Sequence, residues 1–301
     1  MTVSFVMKIL TFLIQECQDF LLASLATESG IYYHEGLEQA AGQFHSLEGD
    51  TSLVLTFDTI FNDVTLYARA DILEVIEEEI SNLIHYKYTC NEQLASKLKA
   101  LLSEQMISEY KGDKFGKKNE TERVIRLLLR NQQEEGLWGW WKSSKESSLW
   151  ISLHVLEALS KAKEMDYRVN IDEVQIGDLL VWELESPTKV DNKLRALHIL
   201  KMLNSKVNFP VYIDRIEKTE SMNMNELFSF IKLKQICGLD PEVDTLFSYQ
   251  KETIFGNLYF SNDSITHYFY RNDIQNTLLA YKILRSDSIT DHSLELQKGH
   301  I

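Results

Sequence analysis

The sequence predicts a mainly α protein, an α/α toroid built of helical hairpins, with a small β-containing segment at its N-terminal end. Three observations point there. Of 301 residues only 12 are Gly and 3 are Pro, too few to supply the tight turns of an all-β sandwich or barrel. From about residue 60 onward, apolar residues recur at three-and-four spacing in stripes parted by short polar breaks, the pattern of helices buried along one side. A glycine-aromatic loop followed by a helix also occurs twice in the chain, which indicates a repeated hairpin. With 44% hydrophobic and 11% aromatic content, the chain can build one large core or two modest ones.

The elements follow in order. Residues 1–26 form an apolar stretch interrupted by Lys8, Glu16 and Asp19, which reads as an amphipathic helix rather than a signal peptide or a membrane span. Two or three short strands follow: Ile31-Tyr32-Tyr33, Phe44 with Leu47, and the alternating Leu53, Leu55 and Phe57. Gly36, Gly42 and the Glu48-Gly49-Asp50 turn separate them. Residues 1–60 are thus expected to be a partly β segment, the remnant of a preceding domain, and residues 61–301 the helical domain. Its first stripe is Leu73, Ile76, Ile80, Leu83 and Ile84. Leu94, Leu98, Leu101 and Leu102 make the next, followed by stripes over 124–129, 150–159, 194–203, 227–236 and 274–284. Polar breaks at 111–119, 142–148, 185–190, 205–210 and 238–241 imply paired helices.

The two units of the repeat resemble each other only in outline, the second with a somewhat longer loop. Gly136-Leu-Trp138-Gly-Trp140 leads to Ser152-Leu153 and Ala158-Leu159, and Gly256-Asn-Leu-Tyr259-Phe260 leads to Thr277-Leu278 and Ile283-Leu284. Hairpins of this kind cannot cover their apolar faces alone, so they stack, and a ring of inner and outer helices would gather the aromatic loops at one end.

Composition also excludes function classes. A formal charge of −14 repels a phosphate backbone, so nucleic acid is not an expected partner. Cys17, Cys90 and Cys237 are too few and too scattered for a disulfide framework, and no CxxC pairing or other metal-ligand set is present. No metal and no cofactor are expected.

The sharpest feature is Cys90-Asn91-Glu92-Gln93, immediately before the stripe that begins at Leu94. A cysteine at the first turn of a helix feels unpaired N–H groups and the positive end of the macrodipole, which favour thiolate. Residues three apart on a helix share a face, with Cβ atoms about 5–6 Å apart, so Cys90 and Gln93 are within bonding reach. Attack of the thiolate on the Gln93 carboxamide with loss of ammonia would store an activated acyl group as an internal thioester. The plainer alternative is an ordinary buried thiol.

The surrounding residues, HYKYTCNEQLASKLKALL with LLLRNQQEEGLWGWW some forty residues on, resemble the thioester segment of the alpha-2-macroglobulin and complement family, bacterial members above all. The resemblance covers about residues 35–285, and GLEQAAGQF with the strands after it is similar to the β segment preceding the family's thioester domain. It implies an α/α toroid, a Cys90–Gln93 bond exposed when a bait region elsewhere is cleaved, and covalent trapping of proteases or other amine-bearing proteins. It also implies Asn91 and Glu92 as motif residues, with Tyr86, Tyr88, Trp138 and Trp140 shielding the bond from water. By the same likeness the setting is a bacterial periplasm or cell envelope, with other domains of a larger parent protein as partners. No bait region, receptor-binding domain or export signal is seen in this chain, which reads as a fragment.

Two departures from the family pattern stand out. Asn91 replaces the glycine usual in animal members, and asparagine tolerates unusual backbone angles. No histidine lies between Gly136 and Ser152, where some complement members direct the acyl group to hydroxyls, so amines are the expected acceptors. His154, beside Val155 and Leu156 in a helix stripe, reads as a packing histidine. His85, five residues before Cys90, is open to a role in polarising the acyl group or in closing a helix C-terminus.

Other readings compete. Gln132-x-x-x-Gly136-x-Trp138 matches the glutamine-tryptophan repeat of terpene cyclases, themselves α/α toroids, but the Asp-rich acid motif and metal-binding carboxylates they need are missing. Glu77-Glu78-Glu79 and Glu134-Glu135 read as solvated faces or loop caps. A toroid glycosidase would need two carboxylates across a cleft lined by Trp138, Trp140, Trp141 and Trp150, and would leave Cys90 idle. A purely structural, protein-binding toroid with a free Cys90 is the main alternative.

Overall fold

The computed structural model describes residues 31–32, 40–41, 73–252, 258–262 and 273–287. The chain divides into two compact units, one spanning Cys17–Ile72 and the other holding the helices from Leu73 onward. In the first unit, strands β1 (Ile31–Tyr32) and β2 (Ala40–Ala41) pair antiparallel with Ile31 opposite Ala41. The expected helix over 1–26 and the strands around Phe44 to Phe57 lie outside the described residues.

The second unit is mainly α, as the periodicity predicts. Its helices are α1 (Leu73–Ile84), α2 (Asn91–Lys111), α3 (Lys118–Asn131), α4 (Leu149–Glu164), α5 (Glu173–Glu185), α6 (Val190–Met202), α7 (Phe209–Thr219), α8 (Met224–Ile236) and α9 (Asp273–Ser286). A 3-10 helix over Val243–Tyr249 runs into strand β3 (Gln250–Glu252), which pairs antiparallel with β4 (Leu258–Phe260). β4 falls where the second glycine-aromatic loop is expected, and no strand is expected there.

Burial separates the helices into two kinds. α1, α3, α5 and α7 bury single stripes, such as Leu73, Ile76, Ile80 and Ile84, or Ile176, Leu180 and Leu184. Along α2, α4 and α6 burial reaches most of the circumference, so that even Lys99 and Ser103 are enclosed. Contacts follow the same division. α2 packs on α4, α4 on α6 and α6 on α8, while α1 and α3 lie against α2 and α5 against α6. Each fully enclosed leucine in this layer, Leu98, Leu101 or Leu156 for example, contributes on the order of 1.5–3 kcal/mol.

The ends of the helices have local causes. α2 stops at Gly112, whose left-handed backbone (φ 78°) lets its N–H reach Glu109 O while Asp113 N–H reaches Ser108 O at 2.8 Å. α5 starts at Asp172, whose side chain accepts from Val174 and Gln175 N–H. α8 opens with a capping box between Asn223 and Glu226. A second, smaller core joins α8, the 3-10 helix, β4 and α9, where Phe228 meets Tyr249 and Phe260 edge-on at 5.7 and 6.0 Å. Among the described residues no helix is long and apolar enough to cross a membrane.

Candidate functional site

Cys90 is the residue that caps the N-terminus of α2. Its backbone is extended (φ −66°, ψ 164°), its carbonyl accepts from Leu94 N–H at 2.9 Å, and only 3% of it is exposed. The N–H groups of Gln93 and Glu92 point toward the sulfur and draw its pKa down, though without a formed capping bond. Burial works the other way and wins, with the Glu92 carboxylate adding to it, so the thiol sits above its ordinary value of 9.0. The helix start therefore does not make Cys90 a resting thiolate, contrary to the expectation from position alone. Its S–H instead faces Glu92 Oε2 at 3.8 Å.

Asn91 locks this turn to the glycine-aromatic loop. Its N–H donates to Trp140 O at 2.9 Å and its Nδ2 to Gly139 O at 2.9 Å, while its Oδ1 accepts from Asn131 Nδ2 at 2.8 Å. The side chain is fully buried and both of its ends are satisfied. Gly139 is required there because a Cβ would come within 2.4 Å of Ser144 Cβ and 2.7 Å of Glu146 O.

The loop is braced from within. Trp138 is fully buried, its indole N–H donates to Leu128 O at 2.8 Å, and its backbone N–H donates to Ser152 Oγ at 2.9 Å. Gln132 Nε2 holds Gly136 O at 2.8 Å and Gln133 Nε2 holds Ser144 O at 2.8 Å. The second copy of the repeat does the same where it is described: Phe260 N–H donates to Thr277 Oγ1 at 2.9 Å, and Phe260 and Thr277 are fully buried. The sequence repeat is thus a repeated loop-to-helix hydrogen bond; Gly256 lies outside the described residues.

From Glu92 a string of polar side chains runs inward. Ser96 Oγ is 3.1 Å from Glu92 Oε1 and 3.1 Å from His154 Nε2. Lys99 Nζ is 3.4 Å from His154 Nδ1 and 3.2 Å from Glu157 Oε2, and Arg195 Nε donates to Glu157 Oε1 at 2.8 Å. Burial, seconded by the Lys99 charge, keeps the His154 pKa well below 6.5, so the ring is neutral. Burial likewise lowers Lys99 to about 8 against the pull of Glu157, which still leaves it mostly protonated at neutral pH. For Glu157 burial is outweighed by Arg195 and Lys99, which hold the carboxyl far below the usual range.

The predicted site residues fall into three groups. Cys90, Asn91, Glu92 and Gln93 share the first turn of α2, with Gln93 Oε1 buried and lacking a hydrogen-bond partner. Trp138 belongs to the core beneath the loop. Tyr86, Tyr88 and Trp140 expose half or more of their surface, at 51%, 63% and 50%. Tyr86 and Tyr88 pack on each other at 5.6 Å, and Trp140 meets Trp150 at a tilt at 5.8 Å, Trp150 itself stacking parallel to His154 at 5.9 Å. His85 is exposed and its Nδ1–H donates to Ser81 O at 2.7 Å, the helix-closing role. His154 has partners at both ring nitrogens, as a packing histidine would, but the partner on one side also holds Glu92.

Ser96, Lys99, Glu157 and Arg195 were not singled out from the sequence. The available signal was the spacing of Glu92, Ser96 and Lys99, which places them on one face of α2, with a lysine set between Leu98 and Leu101 of an apolar stripe.

Compared with known proteins, the chain matches no family model and no curated protein.

Proposed function

We propose that this chain carries the thioester domain of an alpha-2-macroglobulin-like protein, and that Cys90 and Gln93 form an internal thioester through which amine-bearing targets, proteases among them, are trapped covalently. The observation that carries this reading is Gln93 Oε1, a buried amide oxygen without a hydrogen-bond partner, one helical turn from a buried thiol. Leaving a buried amide carbonyl unpaired costs about 1–3 kcal/mol. A thioester carbonyl is a weaker acceptor and loses less in the same place, so the site suits the acylated form better than the amide. Burial of Cys90 also keeps water from the bond.

The chemistry needs nothing outside the chain except the target. Cys90 Sγ bonds to the Gln93 carboxamide carbon and ammonia leaves; later a lysine amine attacks that carbon and Cys90 departs. Each chain reacts once, so this is a trap and not a turning-over enzyme. The packing of α2, α4, α6 and α8 in chain order, with α1, α3 and α5 flanking, supports reading the helices as the arc of an α/α toroid. The family likeness extends the proposal to protease capture in a bacterial periplasm or envelope, as one domain of a longer protein.

A second reading, a protein-binding helical domain with a permanently free Cys90, is favoured by the raised thiol pKa and by the exposed rings of Trp140, Trp141 and Trp150. The toroid-enzyme readings draw little support, since Gln132 and Trp138 are engaged in bracing their own loop.

Intact mass before and after methylamine, with peptide mapping, decides between them. The thioester reading expects native protein one ammonia lighter than its sequence, converted to a methylamide at Gln93 as Cys90 becomes alkylatable. A native mass equal to the sequence, with Cys90 alkylated and Gln93 an unmodified amide, contradicts it.

A further inference from the structure

The string of side chains behind Cys90 has a direction. Lys99 has only donors, so at 3.4 Å it makes His154 Nδ1 the acceptor. Nε2 then carries the ring's proton and faces Ser96 Oγ at 3.1 Å, with the Glu92 backbone carbonyl a second acceptor for the ring. Ser96 has one hydroxyl hydrogen, which goes to Glu92 Oε1 at 3.1 Å. Glu92 Oε2 is left facing the Cys90 thiol at 3.8 Å. These contacts connect a buried ammonium to a carboxylate that faces the sulfur. The groups that face His154 are Ser96, Lys99 and the Glu92 backbone carbonyl on α2, Trp150 and Glu157 on α4, and Arg195 on α6.

We propose that Glu92 is the proton-transfer group of the Cys90–Gln93 chemistry, and that Ser96, His154 and Lys99 are positioning residues that keep its carboxylate turned to the sulfur. This rests on the thioester reading. When the thioester forms, the Sγ–Cδ bond is made and the Cδ–Nε2 bond is broken. The thiol proton passes to Glu92 and from there to the departing nitrogen, which leaves as ammonia. When an amine opens the thioester, an N–Cδ bond is made and the Sγ–Cδ bond broken. The proton lost by the amine passes to Glu92 and then to Sγ, regenerating the thiol. Glu92 ends each step as it began, and no other reagent is required. A base at the sulfur is needed because burial leaves the thiol protonated at neutral pH.

The test uses the full chain and methylamine, comparing wild type with Glu92→Gln, Ser96→Ala, His154→Gln and His154→Leu. Intact mass gives thioester content, and the rate of thiol release is followed from pH 6 to 9. Removing a general base is expected to slow opening about 10²-fold at neutral pH, with the deficit shrinking as pH rises and hydroxide takes the amine's proton instead. A Glu92→Gln chain that melts like wild type yet retains its glutamine amide supports the same role. Ser96→Ala and His154→Leu are expected to slow the reaction several-fold, and His154→Gln, which keeps an N–H for Ser96, to restore part of the loss. Glu92→Gln opening at the wild-type rate, or faster as it would if Glu92 only packed over the bond, overturns the proposal. A wild-type chain without the one-ammonia deficit overturns the thioester reading itself, so the two failures are distinct.

Discussion

Asn91 bears more of the site's geometry than its neighbours do. It is the one residue of the Cys90–Gln93 turn whose backbone and side chain both reach across to the glycine-aromatic loop. Asn91→Ala leaves the buried Gly139 O without its side-chain donor and releases the half-buried Asn131 Nδ2, so a loss of about 1–3 kcal/mol is expected by urea denaturation. In the same variant methylamine is expected to react faster, because the loop that shelters Cys90 is released; an unchanged rate would mean the sheltering comes from elsewhere. From sequence, this residue was legible only as a departure from glycine, excused by asparagine's tolerance of unusual backbone. Its long-range bonds span 40 and 48 residues, and nothing in local spacing announces them. The misjudged property of Cys90 has a similar source: the helix-start effect is local and readable, whereas the burial that overrides it is tertiary.

At the scale of elements, period was the reliable signal. The stripes from Leu73 to Ile84 and Leu94 to Leu102 fall within observed helices, and that from Leu194 to Leu203 overruns its helix by one residue. α5 and α7 went unnamed because their stripes are thin, three buried apolar residues each, and Pro210 stood in what read as a break although it sits at the opening of α7, where its missing N–H is harmless. The β3–β4 hairpin is short, three residues a strand, and β4 lies in the stretch that reads as the repeat's loop. The repeat itself was legible and has a bond behind it, Trp138 N–H to Ser152 Oγ in one copy and Phe260 N–H to Thr277 Oγ1 in the other. Ser152→Ala and Thr277→Val each strand a buried N–H, so each is expected to cost about 1–3 kcal/mol in chemical denaturation. A loss in one copy and none in the other would show that the likeness stops at sequence. Gly139→Ala meets backbone as well as Ser144, and is expected to lower the melting temperature by several degrees, consistent with a loss of about 1–3 kcal/mol.

For the whole molecule, the charges inside the helical unit govern how stability depends on pH. Glu157 ties Lys99 on α2 to Arg195 on α6, and breaking such a buried set by removing one member costs about 3–5 kcal/mol, the expected loss for Glu157→Ala. The folded Glu157 carboxyl titrates below its ordinary 4.5, so its contribution is present above that pH and is lost as pH falls through the folded value. Lys99 is lowered from 10.5 to about 8, so the unfolded chain binds more protons between those values and stability is expected to rise from about pH 8 to 10.5. Denaturation of a Cys90→Ala chain across that range checks it: Lys99→Met should flatten the rise, leaving the part due to Lys282, which is also lowered to about 8. An equal rise in both chains would remove Lys99 from the explanation. The central claim, that Cys90 and Gln93 hold a thioester, is tested most directly by counting thiols in the native full-length chain as methylamine is added. Release of one thiol per chain, mapped to Cys90 and matched by one methylamide at Gln93, is the expected result. A Cys90 thiol that is fully labelled before any amine is added, with no further release afterwards, would contradict it.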